Sequence, residues 1–256
     1  MANQGQVTAA ELRDGLAAVG LTAGEVVFVH SSLSAFGHVV GGADTVIDAL
    51  LATLGPEGTL VMPTFTWNAF HAAQRVEFDL VKTPCETGRI PETFRQRPGV
   101  QRSLHLCHSV AALGPQSEAV MGDGIHPFAR GGSFDALYRL GAWNLMLGTG
   151  FGCCTALHAA EELERVPYRA YRHYPGSIVI LPDGSRVASK ACEFLRRDSS
   201  VNDFAKFEGV LAADGLLRTV QVGEATLHNA RIRDVIDVAR RLLAEDVTAL
   251  SRPTGG

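Results

Sequence analysis

No stretch of the chain stays apolar for the roughly 20 residues that a helix needs to cross a bilayer. Residues Met1 to Gln6 also lack the basic start and apolar core of an export signal, so a cytoplasmic protein without a membrane partner is expected. Charge is sparse and unpolarised: 27 Asp and Glu against 23 Lys and Arg give a net charge of −4. With no run of Lys or Arg to neutralise phosphates, nucleic acid is a poor candidate partner. A mildly acidic balance permits a cationic substrate without requiring one. Cysteines are few and odd in number (Cys85, Cys107, Cys153, Cys154 and Cys192), so reduced thiols are expected rather than a disulfide framework. No C-x-x-C or H-E-x-x-H spacing supports a metal site built from His105, Cys107, His108, Cys153 and Cys154, and no metal is expected.

The chain does have material for a core. Of its 256 residues 46% are hydrophobic, and 27 glycines mark frequent turns, which suits a single α/β domain over 1–256. Thr8-Ala-Ala-Glu11 has capping-box spacing ahead of Leu12, Leu16 and Val19, with Gly20 as the stop. Val26 to Val29 reads as a buried strand that gives way at His30-Ser-Ser-Leu33 to a polar loop with Gly37, Gly41 and Gly42. Asp44 is placed to cap an amphipathic helix through Leu54, closed by Gly55-Pro56, and Thr59 to Met62 is the next strand. This βαβ unit implies a partly parallel sheet whose functional loops lie at the carboxyl ends of its strands.

Residues 68–100 show little apolar periodicity and read as an extended surface segment or lid. Val110 to Leu113 and Trp143 to Leu147 read as strands. Ser177 to Lys190, around the turn Pro182-Asp-Gly184, reads as a late antiparallel hairpin, and a helix from about Asp234 to Ala244 closes the fold.

The stretch Gly150-Phe-Gly-Cys-Cys-Thr-Ala-Leu-His158-Ala-Ala-Glu161-Glu162 holds the main chemical candidates. On a helix beginning near Thr155, His158, Glu161, Glu162 and Arg165 fall on one side, and spacing alone favours an ordinary solvated face. The sharper alternative uses the glycine loop before it, where backbone N–H groups near Thr155 can hold a developing oxyanion. His158 would then be a general base whose tautomer Glu161 fixes. A thiol nucleophile at Cys153 or Cys154 is the runner-up. The glycine loop after the first strand matches no phosphate-binding fingerprint, and Arg102, His105 and His108 read first as core or surface residues.

Taken together, Val29-His-Ser-Ser-Leu33, Gly58-Thr-Leu-Val-Met-Pro-Thr64, Arg102-Ser-Leu-His105 with Ser109, Thr155-Ala-Leu-His-Ala-Ala-Glu161, Asn202-Asp-Phe204 and Val222-Gly-Glu-Ala225 resemble the aminoglycoside 3-N-acetyltransferase family along nearly the whole chain. The resemblance implies an α/β/α three-layer sandwich with a mixed central sheet, and acetyl-CoA as co-substrate. It also implies direct acetylation of the 3-amino group of a deoxystreptamine ring, giving antibiotic resistance, by a monomer or homodimer. It makes His158 the base and Glu161 its orienter, and puts Thr155 near the thioester carbonyl. Cofactor contacts are implied at His30, Ser31, Ser32, Leu33, Gly41, Gly42, Arg102, Ser103, His105 and Ser109. Glu77, Asp79, Glu193 and Asp203 are the candidates to hold a cationic substrate. The sequence departs from the family pattern at Leu106 (proline), at Cys154 (asparagine) and in Gly132-Ser-Phe-Asp135, which lacks the usual Ser-Pro. Those departures leave two alternatives: an acyltransferase of the same fold acting on a non-antibiotic amine, and a silent acyl-CoA-binding protein.

Overall fold

The computed structural model describes residues 5–67 and 75–254. The central sheet uses strands β1 (Val26–Ser31), β2 (Thr59–Pro63), β4 (Gln101–Arg102), β5 (Val110–Leu113), β6 (Trp143–Leu147), β11 (Arg218–Val222) and β12 (Ala225–Arg231). Their order is β11-β12-β6-β1-β2-β5-β4. β6, β1 and β2 run parallel, and each flank is antiparallel. The sheet is therefore mixed with a parallel centre, as expected.

The two-residue alternation of a strand sorts the core into two layers. Val27 and Val29 of β1 face helices α1 (Ala9–Ala18), α2 (Gly42–Leu54) and α3 (Arg89–Arg95). Phe28 faces the opposite way, toward α4 (Ser133–Arg139), α5 (Leu157–Leu163), α6 (Phe207–Ala213) and α7 (Ile232–Glu245). Helices on both faces complete the three-layer sandwich.

Thr8 caps α1 with the full reciprocal capping box. At α2 the expectation fails: the N-cap is Gly41 in the left-handed region at φ 78°, and Asp44 lies in the first turn. Asp44 instead pairs with Arg97 at 2.7 Å, a partner too distant in sequence for local spacing to reveal. β1 also runs on to Ser31, so His30 belongs to the strand rather than to the loop after it.

Within the segment read as a lid, 68–74 lie outside the described residues. The remainder is partly core: Phe78 of β3 (Glu77–Asp79) and Ile90 and Phe94 of α3 are buried. The late hairpin, β8 (Ile178–Ile180) and β9 (Arg186–Ala188), forms as expected, but β8 pairs in parallel with β3 and not with the central sheet. It is nested inside a second antiparallel pair, β7 (Arg169–His173) with β10 (Cys192–Arg196), which reaches α5.

Candidate active site

β1, β2 and β6 end together, and a cavity of about 500 Å³ opens beyond their carboxyl ends. β1 contributes His30 and Ser31, the chain leaving β2 contributes Phe65 and Trp67, and the turn after β6 contributes Thr149, Thr155 and His158. This is the edge where open α/β sheets collect their ligands. Gly148 makes the tight exit from β6 possible: its φ is 71°, and a Cβ there would stand 2.9 Å from the Ala35 Cβ. The Ser31 hydroxyl is buried in the cavity wall with no hydrogen-bond partner, whereas the Thr149 hydroxyl there interacts with the Cys153 thiol. An unpaired buried hydroxyl is costly unless something else satisfies it.

The face of α5 is not solvated. The Glu161 side chain is fully buried, and His158 keeps only 16% of its side-chain surface. His158 Nδ1 donates to Glu161 Oε2 at 2.5 Å, which assigns the proton to Nδ1 and leaves the Nε2 lone pair free. Phe128 and Phe204 pack against the imidazole with ring centroids 5.2 and 5.0 Å away, fixing its plane and drying its surroundings. Burial pushes the His158 pKa down, Glu161 pulls it up, and Arg169 and Arg196 push it down again; the balance lies below the ordinary value, so the ring is neutral near pH 7. Burial raises the Glu161 carboxyl, but His158, Arg169 and Arg196 outweigh it and hold the carboxyl below the usual range. The arrangement is a neutral base, oriented by a carboxylate and open to a cavity.

The turn entering α5 differs from the expected open donor site. The Thr155 N–H is already given to His30 Nε2, 3.3 Å away. His30 shares the Phe28 face of β1 and meets that ring edge-on at 5.0 Å. Burial lowers its pKa to about 3, so it stays neutral and serves as an acceptor. The thiol route loses its physical basis: burial raises the Cys153 pKa and pushes Cys154 up to about 12. Cys154 points into the core, where the Asn144 amide reaches its sulfur at 3.5 Å.

The structure brings His30, Ser31, Thr155 and His158 to one wall, with Glu161 directly behind. Ser32, Leu33, Gly41 and Gly42 lie outside the lining. So do Arg102, Ser103, His105 and Ser109, which are occupied with the protein itself. Arg102 donates to the Thr64 and Thr83 carbonyls at 2.8 and 2.6 Å and lies over the Phe78 ring. Ser103 Oγ accepts from the Val110 N–H, and Ser109 Oγ donates to the Thr64 carbonyl. His105 Nδ1 accepts from the Cys107 and His108 N–H groups while Nε2 donates to the Cys192 carbonyl. Leu106 is wholly buried against the β3 and β8 side of the molecule.

None of the four carboxylates expected to hold a cation lines the cavity. Glu77 pairs with Arg186 and Asp203 with Lys206. Asp79 accepts from the Val81 and Lys82 N–H groups, and buried Glu193 accepts from the Tyr174 hydroxyl. The carboxylate in the wall, among the described residues, is Glu86, which sequence reading missed together with Thr149, Asn202, Arg169 and Arg196. Asn202 carried a signal in the Asn202-Asp-Phe204 match; the others sit in stretches without a local pattern.

A family profile described as "Aminoglycoside 3-N-acetyltransferase" matches residues 28–244. The chain is 34% identical to aminoglycoside N(3)-acetyltransferase IV of Salmonella sp over 252 residues, covering 96% of this chain and 92% of that one. Aminoglycoside N(3)-acetyltransferase VII of Streptomyces paromomycinus is 31% identical, with 99% and 97% covered. Among solved structures, a histidine-to-alanine mutant of AAC(3)-IVa in complex with a gentamicin superposes with a TM-score of 0.80 at 29% identity, covering 99% of this chain and 94% of that one. AAC-IIIb, binary with CoASH, also gives 0.80, at 26% identity with 98% and 100% covered. No helix among the described residues is long and apolar enough to cross a membrane.

Proposed function

The chain belongs to the aminoglycoside 3-N-acetyltransferase family, and from that premise we propose that it moves the acetyl group of acetyl-CoA directly onto the 3-amino group of an aminoglycoside's 2-deoxystreptamine ring, conferring resistance. The observation that carries the reading is the His158 imidazole, oriented through Nδ1 by buried Glu161 while Nε2 faces the cavity unpaired. The acceptor amine is mostly protonated near pH 7; it gives one proton to solvent to become a nucleophile and sheds a second as it is acylated. His158 Nε2 takes the proton released as the C–N bond forms, and returns it to the CoA sulfur as the thioester C–S bond breaks. General-base assistance of this kind contributes about 10²–10⁴-fold.

Direct transfer is favoured over a thiol relay because the buried Cys154 thiol is held protonated, and the more exposed Cys153 thiol is also raised and bonds back to the Gly150 carbonyl. The unpaired Ser31 hydroxyl suits a polar co-substrate, and Thr155 lies beside His158 for the carbonyl end. Across the same cavity, Glu86 and the Trp67 ring offer an acidic and an aromatic surface to a polycation. The gentamicin-bound and CoASH-bound relatives support the same pair of substrates.

The test offers acetyl-CoA with gentamicin-like, kanamycin-like and unrelated amines, follows thiol release, and assigns the acetylated nitrogen by NMR. The expected result is a product carrying one acetyl group on the 3-amino nitrogen, and loss of turnover in His158→Ala with acetyl-CoA binding retained. Transfer only to unrelated amines, or near-normal turnover in His158→Ala, overturns the reading.

A further inference from the structure

Arg169 and Arg196 stand directly opposite each other across the antiparallel pair β7 and β10. Like charges in that register repel, and the hairpin alone would be destabilised by it. Nor does solvent relieve them, because the side chains are only 7% and 13% exposed. Glu161 lies between them: Arg169 Nε is 3.0 Å from Oε2 and Arg196 is 3.8 Å from Oε1, while Arg196 also has the half-exposed Asp198 Oδ1 at 3.6 Å. Both guanidiniums also donate to Asn202 Oδ1, at 2.5 and 2.7 Å. A guanidinium has donors only, so the carboxamide oxygen must face the arginines and its NH₂ must point away from them. Asn202 itself lines the cavity beside Phe204.

We infer that Arg169 and Arg196 are positioning residues of the acetyl transfer, holding the Glu161 carboxylate on His158 and turning the Asn202 amide donors toward the substrate. The inference rests on the His158–Glu161 reading above. A buried carboxylate shared with His158 alone would favour a resting imidazolium, which has no lone pair with which to take the substrate's proton. Two guanidiniums balance Glu161, so it can fix the ring's direction without fixing a charge on it. They also repel the imidazolium formed during transfer, which helps return the proton to the leaving sulfur. The charged and titratable groups around His158 are Glu161 on its own helix, Arg169 from β7, Arg196 from β10, and neutral His108 from the loop before β5. Asp203, next to Asn202, is engaged with Lys206.

The experiment compares Arg169→Ala, Arg196→Ala, Arg169→Lys, Glu161→Gln and His158→Ala. It reads kcat and KM for the amine, the pH profile of kcat/KM, and the NMR titration of His158 in the free protein. Removing either guanidinium should lower kcat about tenfold to a hundredfold and move both the His158 titration and the acid limb of the profile to higher pH. Arg169→Lys keeps the charge and loses the fork, so it should restore the titration while KM for the amine stays raised. In a Glu161→Gln background the kcat loss caused by Arg169→Ala should largely vanish, since that part acts through the carboxylate, while the rise in KM that comes through Asn202 persists. If Arg169→Ala does not fold, Arg169→Lys and Arg196→Ala carry the same readouts. An unchanged His158 titration and kcat in the alanine variants, or full additivity of the kcat loss with Glu161→Gln, overturns the inference. Turnover in His158→Ala would instead overturn the reading beneath it.

Discussion

Two buried histidines, His105 and His158, have similar surroundings in composition and opposite valence. Each sits among aromatic and polar side chains, and each is held neutral, with burial lowering its pKa. At His105 both ring nitrogens are spent, Nδ1 on two backbone N–H groups and Nε2 on the Cys192 carbonyl. At His158 only Nδ1 is spent, and the other nitrogen meets a cavity. The contrast shows that burial and a shifted pKa do not mark a catalytic group by themselves; an unused, directed lone pair does.

The largest expected effect separates the two directly. His158→Ala should cost about 10²–10⁴-fold in kcat with little loss of stability, because Arg169 and Arg196 still hold Glu161. His105→Ala should do the reverse. It strands two buried donors and an acceptor, costing about 1–3 kcal/mol for each group left unsatisfied, while turnover per folded molecule stays near normal. Urea unfolding beside single-turnover rates checks both, and a His105→Ala protein that folds well but has lost its turnover would erase the contrast. Glu161→Gln lies between them: it should lose both activity and about 3–5 kcal/mol of stability, since buried Arg169 loses its anion and Arg196 keeps only the half-exposed Asp198.

The same distinction explains what could be read from the sequence. The parallel centre of the sheet followed from β-branched runs separated by one amphipathic helix, and the His158–Glu161 pair from a spacing of three on a helix. Whether that face was wet or buried could not be read locally. The groups that bury it, Arg169, Arg196 and Phe204, come from strands and loops that only folding brings to α5. For the same reason the sequence does not reveal that Glu77, Asp203 and Glu193 pair within the protein, nor that Glu86 reaches the cavity wall. Arg102, Ser103 and Ser109 recur in the family motif, yet Arg102 and Ser109 bond to the Thr64 carbonyl just after β2, and Ser103 accepts from the Val110 N–H at the start of β5. A motif match alone does not distinguish a buckle from a binding surface.

A smaller effect sharpens the comparison through pH. The pKa of His105 in the fold is about 4, against an ordinary value near 6.5 in the unfolded chain. Below pH 6.5 the unfolded chain therefore takes up a proton that the fold refuses, and stability falls as pH drops toward 4, levelling off below that. The loss should be about 2 kcal/mol between pH 7 and pH 5 for this one histidine. His30, lowered to about 3, adds a loss of the same sign. Urea midpoints at the two pH values check this, and His105→Ala should show the shallower slope even though it starts less stable. An equal slope in the variant would mean that His105 does not titrate as a buried neutral group.

The smallest effect concerns the thiols that flank the His158 turn. Cys154 stands one residue before Thr155, but its sulfur lies in the core and its pKa is pushed up to about 12. At pH 7 only about one molecule in 10⁵ would carry that thiolate. Cys153 is nearer the surface and lines the cavity, and its thiol bonds back to the Gly150 carbonyl at 3.3 Å while burial raises its pKa as well. Neither is poised to attack a thioester, whereas the His158 lone pair is available without any prior ionisation. Cys153→Ser should therefore change turnover by less than about twofold, and intact-mass spectra of the wild-type protein with acetyl-CoA alone should show no acetyl adduct. A stoichiometric adduct that amine then discharges would place a covalent step ahead of His158, and the turn that now reads as a scaffold for the imidazole would become the reacting element.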